Sequence, residues 1–106
     1  MKNDKKRKTN DNGQMSHLVR VEFTHPTANA VAIAGTFNDW RPEATQMVAL
    51  GAGRWVKELV LPPGTYEYLL VADGNWLPDP SAKKTVLNAF GGVNSVLDVS
   101  NGAAGP

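Results

Sequence analysis

A chain of 106 residues and 11.4 kDa, with 42% hydrophobic and 20% charged side chains, has room for one domain and a single modest core. It contains no run approaching the roughly 18 uncharged apolar residues of a membrane span. With no cysteine it excludes disulfide scaffolds, thiolate nucleophiles and Cys-based zinc sites, and its net charge of +1 points to no polyanionic partner for the chain as a whole.

Residues 1–16 hold Lys2, Lys5, Lys6, Arg7 and Lys8 against Asp4 and Asp11, and every aromatic residue lies between Phe23 and Phe90. Almost nothing in this segment could repay the entropy of ordering, so it reads as a flexible basic tail. It also lacks the apolar run of a secretory signal, which together with the missing cysteines sets the expectation of a cytoplasmic protein. Lys5-Lys6-Arg7-Lys8 could touch phosphates, but four charges in a tail are usually a solvating segment, so nucleic acid is not the expected partner.

From residue 17 onward the hydrophobic period is two. In His17–Phe23, Val19, Val21 and Phe23 alternate with Leu18, Arg20 and Glu22, as in a strand with one wet face. Ala30–Ala34 is a short apolar run suited to an inner strand, and Gln46–Leu50 is a weaker candidate. Arg54–Leu61 alternates again, with Trp55, Leu59 and Leu61 on one face and Val56, Glu58 and Val60 on the other. Lys57 falls on the apolar face, which places it near a sheet edge where its stem can snorkel. Thr65–Ala72 is aromatic and branched, Thr85–Leu87 is weak, and Ser95–Val99 closes the set.

Turn residues punctuate these runs at His25-Pro26, Asn38-Asp39, Arg41-Pro42, Gly51-Ala52-Gly53, Pro62-Pro63-Gly64 and Asp73-Gly74. Asp73-Gly74 between apolar segments is a favoured two-residue hairpin turn. No segment forms a convincing ten-residue amphipathic helix. About seven short strands at this spacing predict an all-β, immunoglobulin-like antiparallel sandwich over residues 17–99, followed by a second flexible tail over 100–106.

Catalytic chemistry has little to work with. His17 and His25 bracket the first strand, where lone histidines are usually surface residues, and no serine sits in a nucleophile-elbow context. Asp39, Asp73 and Asp79 could in principle face one another as a glycosidase pair requires, but each is a natural turn residue whose side chain can bond its own backbone. The expectation is a non-catalytic module without metal or cofactor.

The tryptophans are more informative. Trp55 follows the alternation of its strand and reads as core. Trp40, in Asn38-Asp39-Trp40-Arg41-Pro42, and Trp76, in Asp73-Gly74-Asn75-Trp76, sit in polar turns instead. An indole so placed can stack on the axial C–H face of a pyranose, or it can cap one end of a sandwich core. Pattern alone leaves both readings open.

Residues 31–40, Val-Ala-Ile-Ala-Gly-Thr-Phe-Asn-Asp-Trp, resemble the signature strand and turn of family-48 carbohydrate-binding modules. Leu61-Pro62-Pro63-Gly64-Thr65-Tyr66-Glu67-Tyr68, Asp73-Gly74-Asn75-Trp76, Asp79-Pro80 and Phe90-Gly91-Gly92-Val93-Asn94-Ser95-Val96 continue the likeness across nearly all of 17–99. That family includes the glycogen-binding domain of the AMP-activated protein kinase β subunit and the early-set domains of isoamylases and branching enzymes.

The resemblance implies binding of an α-1,4-linked glucan such as glycogen, starch or maltodextrin. It further implies that Trp40 and Trp76 stack on adjacent glucose rings, that Phe90 projects against the curved chain and that Asn94 bonds sugar hydroxyls. Two positions depart from the family pattern: Leu69 stands where binding members carry lysine, and Gly92 where they often carry a hydroxyl residue. A lost charged hydrogen bond is worth about 1.5–3 kcal/mol, so weakened binding is one consequence. The competing implication is an early-set scaffold or protein-interaction domain, marked by an apolar patch away from the tryptophans. A glucan-metabolising enzyme or kinase acting in trans would be its partner.

Overall fold

In the computed structural model, residues 16–100 are described. They contain eight strands: β1 (His17–Thr24), β2 (Val31–Gly35), β3 (Val48–Gly51), β4 (Arg54–Leu61), β5 (Gly64–Ala72), β6 (Asn75–Leu77), β7 (Lys84–Leu87) and β8 (Val93–Val99), with one 3-10 turn at Pro42–Ala44. All strand pairs are antiparallel. One sheet runs β1-β4-β3; the other runs β2-β5-β8-β7, with β6 also on β5. The predicted tails, 1–16 and 100–106, lie outside the described residues except for Ser16 and Ser100 at their inner ends.

The alternation read from the sequence becomes the two faces of each sheet. Val21 and Phe23 of β1 and Trp55, Leu59 and Leu61 of β4 face Val31 and Ile33 of β2, Tyr68, Leu70 and Ala72 of β5 and Val99 of β8. These residues fill the space between the sheets, as expected of an immunoglobulin-like sandwich. Trp55 is core, as its strand pattern indicated. Ile33 and Leu70, partners in the β2–β5 register, are fully buried at the centre.

Three details go beyond the sequence pattern. The weak Gln46–Leu50 signal belongs to a segment that serves both sheets. Thr45 and Met47 exchange backbone hydrogen bonds with Ile33 and Val31 of β2, and the chain then crosses over so that Val48 pairs with Val56 of β4. Val56 is buried although it points away from the core, because Glu22 and Val48 flank it on both sides. Lys57 is one residue beyond the end of the β3 ladder, so β4 is paired there only with β1 and the lysine stem is half-buried.

β6 was not anticipated as a strand, since three residues carry no period. The Asp73-Gly74 turn creates it by folding the chain back so that Trp76 pairs with Val71. β6 and β8 occupy the same side of β5 in tandem, β6 against Leu70–Ala72 and β8 against Gly64–Tyr68. This arrangement leaves the outer face of the β5 sheet bordered by loops at three places, after β2, before β6 and between β7 and β8.

Candidate functional site

The loop after β2 holds Trp40. Asp39 and Trp40 both adopt left-handed backbone angles, φ 57° and 58°, which are uncommon for residues with a side chain. The Asn38 side chain holds the turn in that shape. Its Oδ1 accepts from the N–H groups of Gly35 (3.0 Å) and Arg41 (3.3 Å), and its Nδ2 donates to the Ile33 carbonyl (3.0 Å) and to Thr45 Oγ1 (2.9 Å). The Trp40 N–H donates to the Gly35 carbonyl at 2.9 Å. The indole is thereby folded back over Ala32, Ala34 and Val71, whose small outward-facing side chains leave room for it.

Trp76 reaches the same place from the other direction. Asp73 and Gly74 have φ 49° and 85°, the pair of positive values that a tight hairpin needs. The Asp73 carboxylate accepts from the N–H groups of Asn29 and Ala30, tying the β1–β2 loop to this turn rather than bonding only its own backbone. Trp76 is the cross-strand partner of Val71 and remains 47% exposed. Val71 therefore lies between the two indoles, and neither indole belongs to the inter-sheet core.

Phe90 is 95% exposed on the β7–β8 loop. Asn88 organises this loop: its Oδ1 accepts from the N–H groups of Phe90 (2.9 Å) and Gly92 (3.1 Å), while Gly91 takes φ 87° at the bend. The Asn88 Nδ2 also donates to Asn94 Oδ1 (3.1 Å), and Asn94 Nδ2 donates to Glu67 Oε1 (3.1 Å). Asn94 is thus buried with its amide engaged at both ends, leaving one N–H and one lone pair for anything else.

Trp40, Trp76, Phe90 and Asn94 all line one open groove of about 890 Å³. Leu69 forms part of its floor, beside its register partner Ala34, and Leu87, Pro78, Thr36 and Glu67 complete the walls. Glu67 is the only ionisable residue among the described residues that line it. The surface is therefore largely apolar and aromatic with a few fixed polar atoms, a composition that suits a flat, hydroxyl-bearing ligand.

Asn38, Asn88 and Glu67 were not singled out from the sequence. Asn38 reads as a turn residue, Glu67 figures only within a matched motif, and Asn88 draws no reading at all. Of the three aspartates, Asp73 and Asp79 have structural work. Asp79 is buried, accepts the Tyr68 hydroxyl at 2.6 Å and the Ser81 N–H at 2.9 Å, and donates its own N–H to Ser95 Oγ at 2.8 Å. Burial first, and then this contact with Asp79, push the Tyr68 hydroxyl well above the usual tyrosine range. His17 begins β1 and His25 packs its ring beside Phe23, and no group of three or more His, Asp or Glu among the described residues is placed to hold a metal ion.

A two-sheet immunoglobulin-like sandwich with an aromatic groove on one outer face has the build of a small binding domain. The family model described as the glycogen recognition site of AMP-activated protein kinase matches residues 17–104, and the chain belongs to that family of carbohydrate-binding domains. Two relatives are the 5'-AMP-activated protein kinase beta-1 subunits of Sus scrofa, 32% identical, and Bos taurus, 33% identical, each over 69 residues and 65% of this chain. The match spans 53% of the first relative and 24% of the second. In fold, the chain is similar to the maltogenic amylase from S. marinus, with a TM-score of 0.65 and 22% identity over 89% of this chain and 15% of that one. No helix among the described residues is long and apolar enough to cross a membrane.

Proposed function

We propose that the chain binds α-1,4-linked glucan (glycogen, starch or maltodextrin) without acting on it. Trp40 and Trp76 form the stacking platform, Phe90 covers the outer edge of the glucan, and Asn94 contributes its remaining amide hydrogen. The observation that carries this reading is the convergence of three aromatic side chains, from three separate loops or hairpins, on one groove. Such a surface offers apolar area to the C–H faces of successive glucose rings, and full burial of a side chain like Phe90 stabilises a complex by about 1.5–3 kcal/mol. Membership of a glycogen-recognition family supports the same ligand class.

Calorimetric titration with β-cyclodextrin and maltoheptaose tests the proposal, with cellohexaose as control. Micromolar to low-millimolar binding to the α-glucans alone is expected, and Trp40→Ala and Trp76→Ala should each weaken it at least tenfold, about 1.4 kcal/mol. An absence of heat at millimolar ligand would sink the glucan reading.

A second reading, docking of a glucan-metabolising enzyme or kinase, is favoured by the opposite face of the sandwich. There Leu18 and Val60 stand side by side in register, and Val48 and Leu50 are also exposed, outside the core and far from the groove residues in the topology. The two readings are compatible, because they use different sheets.

A further inference from the structure

We infer that Glu67 is the hydroxyl acceptor of the groove, and that it makes the site selective for uncharged glucan over glucan carrying phosphate esters. This deepens the glucan reading and rests on it. Glu67 lies on the outward face of β5, two residues before Leu69, with its side chain half-buried in the groove wall. The Asn88–Asn94–Glu67 chain of hydrogen bonds fixes one carboxylate oxygen, Oε1, and no donor among the described residues meets Oε2. A carboxylate held by one oxygen presents the other, with both its lone pairs, to ligand hydroxyl groups.

The surrounding charges leave this carboxylate uncompensated. Leu69, next on the same face of β5, brings no cation, and no lining residue of the groove is basic. On the far side, Val96 is the register partner of Glu67 and Lys84 is the partner of Val96, but the Lys84 ammonium is held by Asp98 at 2.7 Å. On the near side, the residue after β2 contributes only the Thr36 hydroxyl, which accepts the Glu67 N–H. The groove therefore carries one fixed negative charge among apolar walls that screen it poorly. Neutral sugar hydroxyls gain charge-assisted hydrogen bonds there, whereas a phosphate ester meets a like charge.

The test is calorimetry on the full chain with maltoheptaose and with maltoheptaose bearing glucose 6-phosphate esters, for the wild type, Glu67→Gln and Glu67→Asp. The wild type should prefer the neutral sugar by at least about fivefold, and the preference should shrink as salt is raised. Glu67→Gln keeps an acceptor for Asn94 and removes the charge; it should bind the neutral sugar about five- to tenfold more weakly and lose most of the preference. Glu67→Asp withdraws the carboxylate by one methylene, so it should lose affinity yet keep the preference. If Glu67→Gln leaves both constants within about twofold of wild type while Trp40→Ala abolishes binding, the platform stands and this inference is overturned. If the wild type binds neither sugar, both fall together.

Discussion

Gly35 sits where three parts of the molecule meet, at the end of β2 and under the turn that carries Trp40. A Cβ placed on it would lie 2.5 Å from the Glu67 carbonyl oxygen and 2.8 Å from both the Phe37 ring and Tyr68 Cβ. Two of those three neighbours are fixed parts of β5, so the strands would have to part. Gly35→Ala should therefore destabilise the fold by about 1–3 kcal/mol, measurable as a lower denaturation midpoint with unchanged m-value. Gly92 makes the opposite case: a Cβ there would meet only the Asn88 amide at 3.6 and 3.8 Å, ordinary contact that a larger residue can share. The glycine at 92 is thus a free choice of sequence in packing terms, and the one at 35 is not.

Among the elements, the β7–β8 loop is organised by the single side chain of Asn88. Removing the Asn88 amide orphans the N–H groups of Phe90 and Gly92 and one end of Asn94. Asn88→Ala should speed hydrogen exchange at Phe90 and Gly92 while leaving the amides of β2 and β5 protected, because the loop opens locally and the core does not. β1 and β4 could be read directly from their two-residue period, β5 from its aromatic and branched run, and the Asp73-Gly74 hairpin from its turn chemistry. β6 could not, since its three residues become a strand only by pairing with Val71. Trp40, Trp76, Phe90 and Asn94 were legible by resemblance, and their meeting in one groove is consistent with it. Asn38, Asn88 and Glu67 were not, because what sets them apart is the number and direction of their hydrogen bonds, which a residue type alone does not encode.

At the scale of the whole molecule, the buried Tyr68–Asp79–Ser95 contact couples the fold to pH. The folded Tyr68 hydroxyl ionises above its unfolded value, so its stabilising contribution is complete below about pH 10 and is lost as pH rises toward the folded value. Tyr68→Phe should be less stable at neutral pH by about 1–2 kcal/mol, with Asp79 Oδ2 left without its donor, yet should lose stability less steeply between about pH 10 and 12. Denaturant titrations of both proteins across that range read the difference in slope. Part of the slope should survive, because burial also raises Tyr66. At the acid end, Asp98 is held low chiefly by Lys84 and Glu22 chiefly by Arg20, contributions present above the ordinary carboxylate range and lost as pH falls through the folded values. These pairs are exposed, so their share is small. The hydrogen-bonded run from Asn88 through Asn94 to Glu67 has a thermodynamic consequence of its own. These three side chains are held by one another and have little rotational freedom left to surrender, so in the proposed glucan complex the entropy cost at this wall of the groove falls mainly on the ordering of the sugar chain. The heat capacity change on complex formation should then be negative and report aromatic surface leaving water, with little contribution from refolding of the protein.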